Sequence, residues 1–159
     1  MKKLLAVILI ACLVLSLAAC GKEIGISAKE IYDKMTQAVA LPEMLKLDES
    51  MMLDYCGIDA AKTTGAEVVI CADSLKTDEV WIIEATDEAA ADEIVDLAKT
   101  RLNKKDEESI KYSPEQNAVV KQAQILRSGK YVMLLVSPDA QSMATALETI
   151  TGASLEKVN

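Results

Sequence analysis

Residues 81–98 read "WIIEATDEAAADEIVDLA", and residues 132–150 read "VMLLVSPDAQSMATALETI". Each is a β-rich apolar run, then a hydroxyl or acidic cap, then apolar residues at helical spacing. Aligning Asp87 with Asp139 sets Ile94 and Val95 opposite Ala146 and Leu147, so one plan occurs twice. Each run also has a β-rich neighbour ahead of it. Glu67 to Ala72 precedes Glu79 to Ala85 across the polar "DSLKTD", and Gln122 to Arg127 precedes Tyr131 to Val136 across the hairpin-like Ser128-Gly129-Lys130. Connections this short join antiparallel strands, because parallel strands need a longer crossover. The expected fold is α+β: a four-stranded antiparallel sheet from two β-β-α-like units, helices packed on one face, preceded by an N-terminal helix.

The helices can be placed outward from this frame. Ser27-Ala28-Lys29-Glu30 is a capping box flanked by Ile26 and Ile31, and it opens a helix with Ile31, Met35, Ala38 and Val39 on one face, ending before Pro42. Asp48 caps a short second helix through Tyr55, after which Gly57 supplies a left-handed stop. Thr86 or Asp87 caps the longer helix with Ala90, Ala91, Ile94, Val95, Ala98 and Leu102 as its stripe, closed by the charged "NKKDEES". Ser113-Pro114-Glu115-Gln116 starts another short helix, and Ser137-Pro138-Asp139 starts the last, with Met143, Leu147 and Ile150 inward and Gly152 at its end.

The beginning of the chain has a different character. Lys2 and Lys3 precede an uncharged apolar run from Leu4 to Leu17, and Ala18 and Ala19 are the small residues that a signal peptidase accepts. Fourteen residues make a helix of about 21 Å, short of the roughly 30 Å hydrocarbon core. A permanent spanning helix is therefore disfavoured. Cys20 stands directly after Leu17-Ala18-Ala19, and this tetrapeptide resembles the bacterial lipobox, in which cleavage between alanine and cysteine leaves a diacylglyceryl-modified cysteine as the first mature residue. Ala19 and Cys20 are thus the expected cleavage pair and Cys20 the lipidation site. Two acyl chains meet the requirement for stable anchoring that one chain does not. The domain organisation expected is 1–19 lipoprotein signal peptide, 20–26 lipidated terminus and short tether, and 27–159 a single α+β domain.

Cleavage removes two lysines and no acid, leaving 15 basic and 25 acidic residues, a net charge of −10. Such a body is repelled by nucleic acid and by anionic lipid, so the membrane is engaged through the lipid on Cys20.

"LPEMLKLDESMMLDYCGID", "YSPEQNAVVKQAQI" and "GKYVMLLVSPDA" resemble successive blocks of the domain-of-unknown-function family numbered 4358, small lipoproteins of Gram-positive anaerobes. The resemblance spans about Ile31 to Ile150 and implies lipoprotein status and domain extent. It implies no catalytic residue, because the family has no assigned activity.

The chemistry left open by composition is narrow. Histidine is absent, which removes Ser-His-Asp and Cys-His catalysis and the histidine-dependent zinc hydrolases. Asp87, Glu88, Asp92, Glu93 and Asp96 crowd one helix start and read either as paired carboxylates for acid-base work or as a solvated face favoured by the helix dipole. "DSLKTDE" is a loose acidic loop without calcium-loop spacing, and no phosphate-cradling glycine motif occurs. Cys56 and Cys71 read either as a disulfide or as two separate small apolar residues. Met35, Met44, Met51 and Met52, with Leu41, Leu45 and Leu47, read as core under the second helix, or as an adaptable binding surface. Trp81 is expected between sheet and helix.

The functional expectation is a lipid-anchored protein on the extracytoplasmic face of the cell membrane. Its domain serves as a small non-enzymatic binding or assembly module for an unknown protein or small ligand, with no metal and no cofactor. The alternatives are an extracytoplasmic enzyme using carboxylates or a Ser-Lys pair, and a small-solute receptor. A mature chain of 140 residues is small for two lobes closing on a solute.

Overall fold

A computed structural model describes residues 23–159. Among them, six strands form one wholly antiparallel sheet: β1 (Met44–Lys46), β2 (Thr63–Cys71), β3 (Glu79–Ala85), β4 (Gln124–Ser128), β5 (Tyr131–Val136) and β6 (Glu156–Lys157), in the order β1-β2-β3-β5-β4-β6. Five α-helices accompany it: α1 (Ala28–Ala38), α2 (Glu49–Met51), α3 (Glu88–Tyr112), α4 (Pro114–Lys121) and α5 (Ala140–Thr151). The α+β class holds, but the sheet has six strands where four were expected. The two additional strands are short edges, three and two residues long. Segments that short carry no legible alternation, and β1 and β6 are fixed by pairing with β2 and β4.

Helices cover both faces of the sheet, which corrects the expectation of one. Trp81, Ile83, Val132, Leu134 and Val136 point to a layer containing Ala91, Ile94, Val95 and Ala98 of α3. Val80, Ile82, Met133 and Leu135 point to the other, with Ile31 and Met35 of α1 and Met143 and Leu147 of α5. Successive residues of one strand face opposite sides, so a strand apolar at every position is buried on both. β5, "YVMLLV", is buried throughout. The two β-β-α units do form, with β3 and β5 paired at the sheet centre from Glu79 opposite Val136 to Glu84 opposite Tyr131. Their helices part company at the corner: Thr86-Asp87 leads into α3, whereas the longer Ser137-Pro138-Asp139 leads α5 to the other face.

Local signals account for most helix ends. Ser27 Oγ accepts from Glu30 N, Asp48 from Met51 N, Asp87 from Ala90 N and Ser113 from Gln116 N. Asp139 makes no such side-chain bond. α2 passes into a single π-helical turn, Met52–Cys56, stopped by Gly57 at φ +75°. α3 runs through "NKKDEES" to Tyr112, ten residues beyond Leu102, where its stripe was expected to end.

Candidate functional site

The deepest ionisable group among the described residues is Glu79, at the first position of β3 and fully buried. Its carboxylate takes a bidentate fork from Arg101 of α3, Nε to Oε1 at 3.0 Å and Nη2 to Oε2 at 2.9 Å, and Lys105 Nζ lies 2.8 Å from Oε2. Trp81, two residues along the same face of β3, donates its indole N–H to Oε1 at 2.7 Å. The two cations reach further. Arg101 Nη1 donates to the carbonyl of Tyr55 in the π-turn at 3.4 Å, and Lys105 Nζ donates to the carbonyl of Thr77 at 3.0 Å. One carboxylate thereby ties the 48–57 segment, the β2–β3 connection and α3 into one network.

Burial by itself would raise the pKa of Glu79, but the Lys105 charge and the Arg101 fork outweigh it and hold the group below the usual carboxylate range. Glu79 in turn holds Arg101 above its ordinary value, against the effect of burial. Cys56 is buried nearby, and burial, reinforced by the Glu79 charge, pushes its thiol up to about 12. A thiol in that state is no nucleophile at neutral pH, because attack requires the thiolate.

Beside this network lies an open groove of about 710 Å³ between the β2–β3 connection and the α3–α4 elbow. Leu75 and Tyr112, 81% and 86% exposed, stand on its walls, making them the most exposed of the large hydrophobic residues described. Its polar lining includes Thr77, Ser109, Ser113 and Gln116. Gln116 Oε1 accepts from Thr77 N at 2.8 Å and so fastens the elbow to the connection. Lys105 also lines the groove, but its ammonium is committed to Glu79 and to the Thr77 carbonyl.

The other sequence candidates disperse. Asp87 caps α3, while Asp92 pairs with Arg127 and Glu93 with Lys62, so the acidic helix start is a solvated, cross-linked face. In "DSLKTDE" Asp73 binds the backbone of Leu75 and Glu79 turns inward to the cations, so these carboxylates do not converge. Met35 lies on the α1 face, Met52 and Leu47 lie on the α3 face, and Leu45 and Met51 are exposed, so no single methionine cluster exists. Cys56 and Cys71 are separate free thiols, both buried. Trp81 is buried between the sheet and α3. Ala19 and Cys20 lie outside the described residues.

The Glu79 network escaped sequence reading, although a signal existed. Ile94, Ala98, Arg101 and Lys105 follow one helical phase, so two cations continue an apolar stripe. Cations in a buried stripe call for a buried anion.

The model of the family described as Domain of unknown function (DUF4358) matches residues 37–137, so the chain belongs to that family. No curated protein and no solved structure matches.

Proposed function

We propose that this DUF4358 member is a lipoprotein anchored by Cys20 to the extracytoplasmic face of the cell membrane, with a non-enzymatic binding or assembly domain. The supporting observation is the contrast between its two polar regions. The buried one is saturated at its centre: both oxygens of Glu79 are taken by cations and by the Trp81 N–H. The open one is a groove walled by Leu75 and Tyr112, whose apolar surface is otherwise given to water. Exposed aromatic and aliphatic anchors beside a polar rim are the composition of a contact surface.

The test is site-specific photo-crosslinking in intact cells from positions 75 and 112, with position 142 on α5 as the control. A discrete adduct from the first two positions and none from the third is expected. Adducts indifferent to position would overturn the reading of the groove. Cys20→Ser is expected to release the protein from the membrane fraction, and its retention there would overturn the anchor.

A further inference from the structure

The geometry points to a defined bilayer-facing surface, and we propose that it is the end of the domain formed by the β4–β5 turn and the β3–α3 corner. This deepens the reading of Cys20 as the lipid-carrying residue and rests on it.

The chain enters the domain at that end. Ile24 is buried in the same apolar layer as Tyr131, and the Tyr131 hydroxyl donates to the carbonyl of Ile26 at 2.9 Å. Tyr131 is the first residue of β5, opposite Glu84 near the end of β3. The stretch free to act as a tether is therefore shorter than the segment 20–26. From Cys20 to Glu23 there are three residue steps, which span at most about 11 Å when fully extended. The lipid attachment point is held within that distance of Glu23, the residue before the Ile24 that packs in the Tyr131 layer.

The groove lies at the other end. Glu79 pairs with Val136, five residues along β5 from Tyr131, which at about 3.4 Å per residue is about 17 Å away. Thr77 and Leu75 continue beyond Glu79. α3 starts at the tethered end and runs for 25 residues, about 37 Å, carrying Tyr112 to its far tip. With its tether at one end, a domain of this length brings the groove to the same bilayer only by lying on its side.

Charge argues against that posture. At the tethered end three acids are paired, Glu93 with Lys62, Asp92 with Arg127, and Glu84 with Lys130 at 3.5 Å. The mature body as a whole carries −10, and its uncompensated acids are repelled by an anionic headgroup layer within about 8–10 Å at physiological salt. The occupant of the tethered end is the headgroup layer itself, and the groove is left pointing outward.

The experiment uses the full lipidated chain purified from membranes and reconstituted into vesicles of phosphatidylglycerol and phosphatidylethanolamine containing a headgroup nitroxide lipid. A fluorophore is attached at Thr64→Cys or Lys130→Cys on the tethered end, or at Leu75→Cys on the groove. Cys56 and Cys71 are buried, and the unsubstituted chain measures any background labelling. Quenching severalfold greater at positions 64 and 130 than at 75 is expected. Equal quenching at all three, as for a domain on its side, or greater quenching at 75, overturns the orientation while flotation and intact mass still show an acylated, membrane-bound chain. A chain that neither floats nor carries the acyl mass overturns the anchor, and the orientation falls with it.

Discussion

Glu79→Gln isolates the contribution of the buried carboxylate. Gln keeps the shape of the side chain and an oxygen for the Trp81 indole, but leaves Arg101 and Lys105, with side chains 14% and 12% exposed, facing each other without a counter-charge. Removing one partner of a buried pair costs about 3–5 kcal/mol. Both cations retain a little access to water, so the lower end applies, about 3 kcal/mol. The assay is urea unfolding followed by fluorescence of Trp81, the one tryptophan in the chain. A control separates unpaired charge from lost packing: Glu79→Gln combined with Arg101→Met and Lys105→Met should recover most of the loss, since replacing a whole buried ionic group by apolar residues is often neutral or stabilising. A single variant losing less than about 1 kcal/mol, at the level of an exposed pair, would refute the reasoning. So would a triple variant less stable than the single one. The pH dependence follows from the lowered pKa of Glu79. Its contribution is fully present above the unfolded carboxyl value and disappears as pH falls through the lower folded value. The acid limb of the stability profile should therefore flatten in Glu79→Gln.

Other substitutions probe the rest of the fold. Ile82→Ala and Ile83→Ala remove adjacent, fully buried side chains that point to opposite faces of β3; each should cost about 2–5 kcal/mol in urea unfolding, whereas a sheet covered on one face would leave one of them within about 0.5 kcal/mol of the parent. Gly57→Ala meets both a positive φ and Leu97 Cδ2 3.0 Å from the new Cβ, while Gly129→Ala, at φ +54°, meets no atom within 4 Å. Thermal unfolding should show about 1–2 kcal/mol for the backbone at Gly129 and more at Gly57; equal losses would show that Leu97 yields freely. Cys56 should resist alkylation in the native state at pH 8, and because its pKa is raised to about 12 from an ordinary value of 9.0, its stabilising effect is complete below the ordinary value and lost as pH rises toward the folded one. Cys56→Ser should lessen that alkaline decline, and rapid native-state alkylation would contradict the burial.

Much of this architecture was legible because its signals are local. Caps at Ser27, Asp48, Asp87 and Ser113 satisfy backbone N–H groups within three residues, so four helix starts follow from short stretches. The β2–β3 and β4–β5 pairings follow from short connections, and Trp81 from its place in an apolar run. The two-sided burial was written in β5, where an apolar residue at every position requires cover above and below, but helical periodicity in α3 and α5 does not say which side each covers. β1 and β6 were illegible because two or three residues carry no pattern until a neighbouring strand pairs with them. The candidate site was harder still. Its parts, Tyr55, Thr77, Glu79, Trp81, Arg101 and Lys105, come from three segments, and only the clue of two cations in an apolar helix phase pointed toward it.

By itself the sequence determined the order of the longer helices and the four main strands, most helix caps, the two β-β-α units and the family, since each is carried by contiguous residues. Which face each helix covers, how short edges extend the sheet and how Glu79 is neutralised were decided by the tertiary structure. The reason is that burial on two faces and the pairing of a buried charge are properties of surfaces that meet only after the chain has closed on itself.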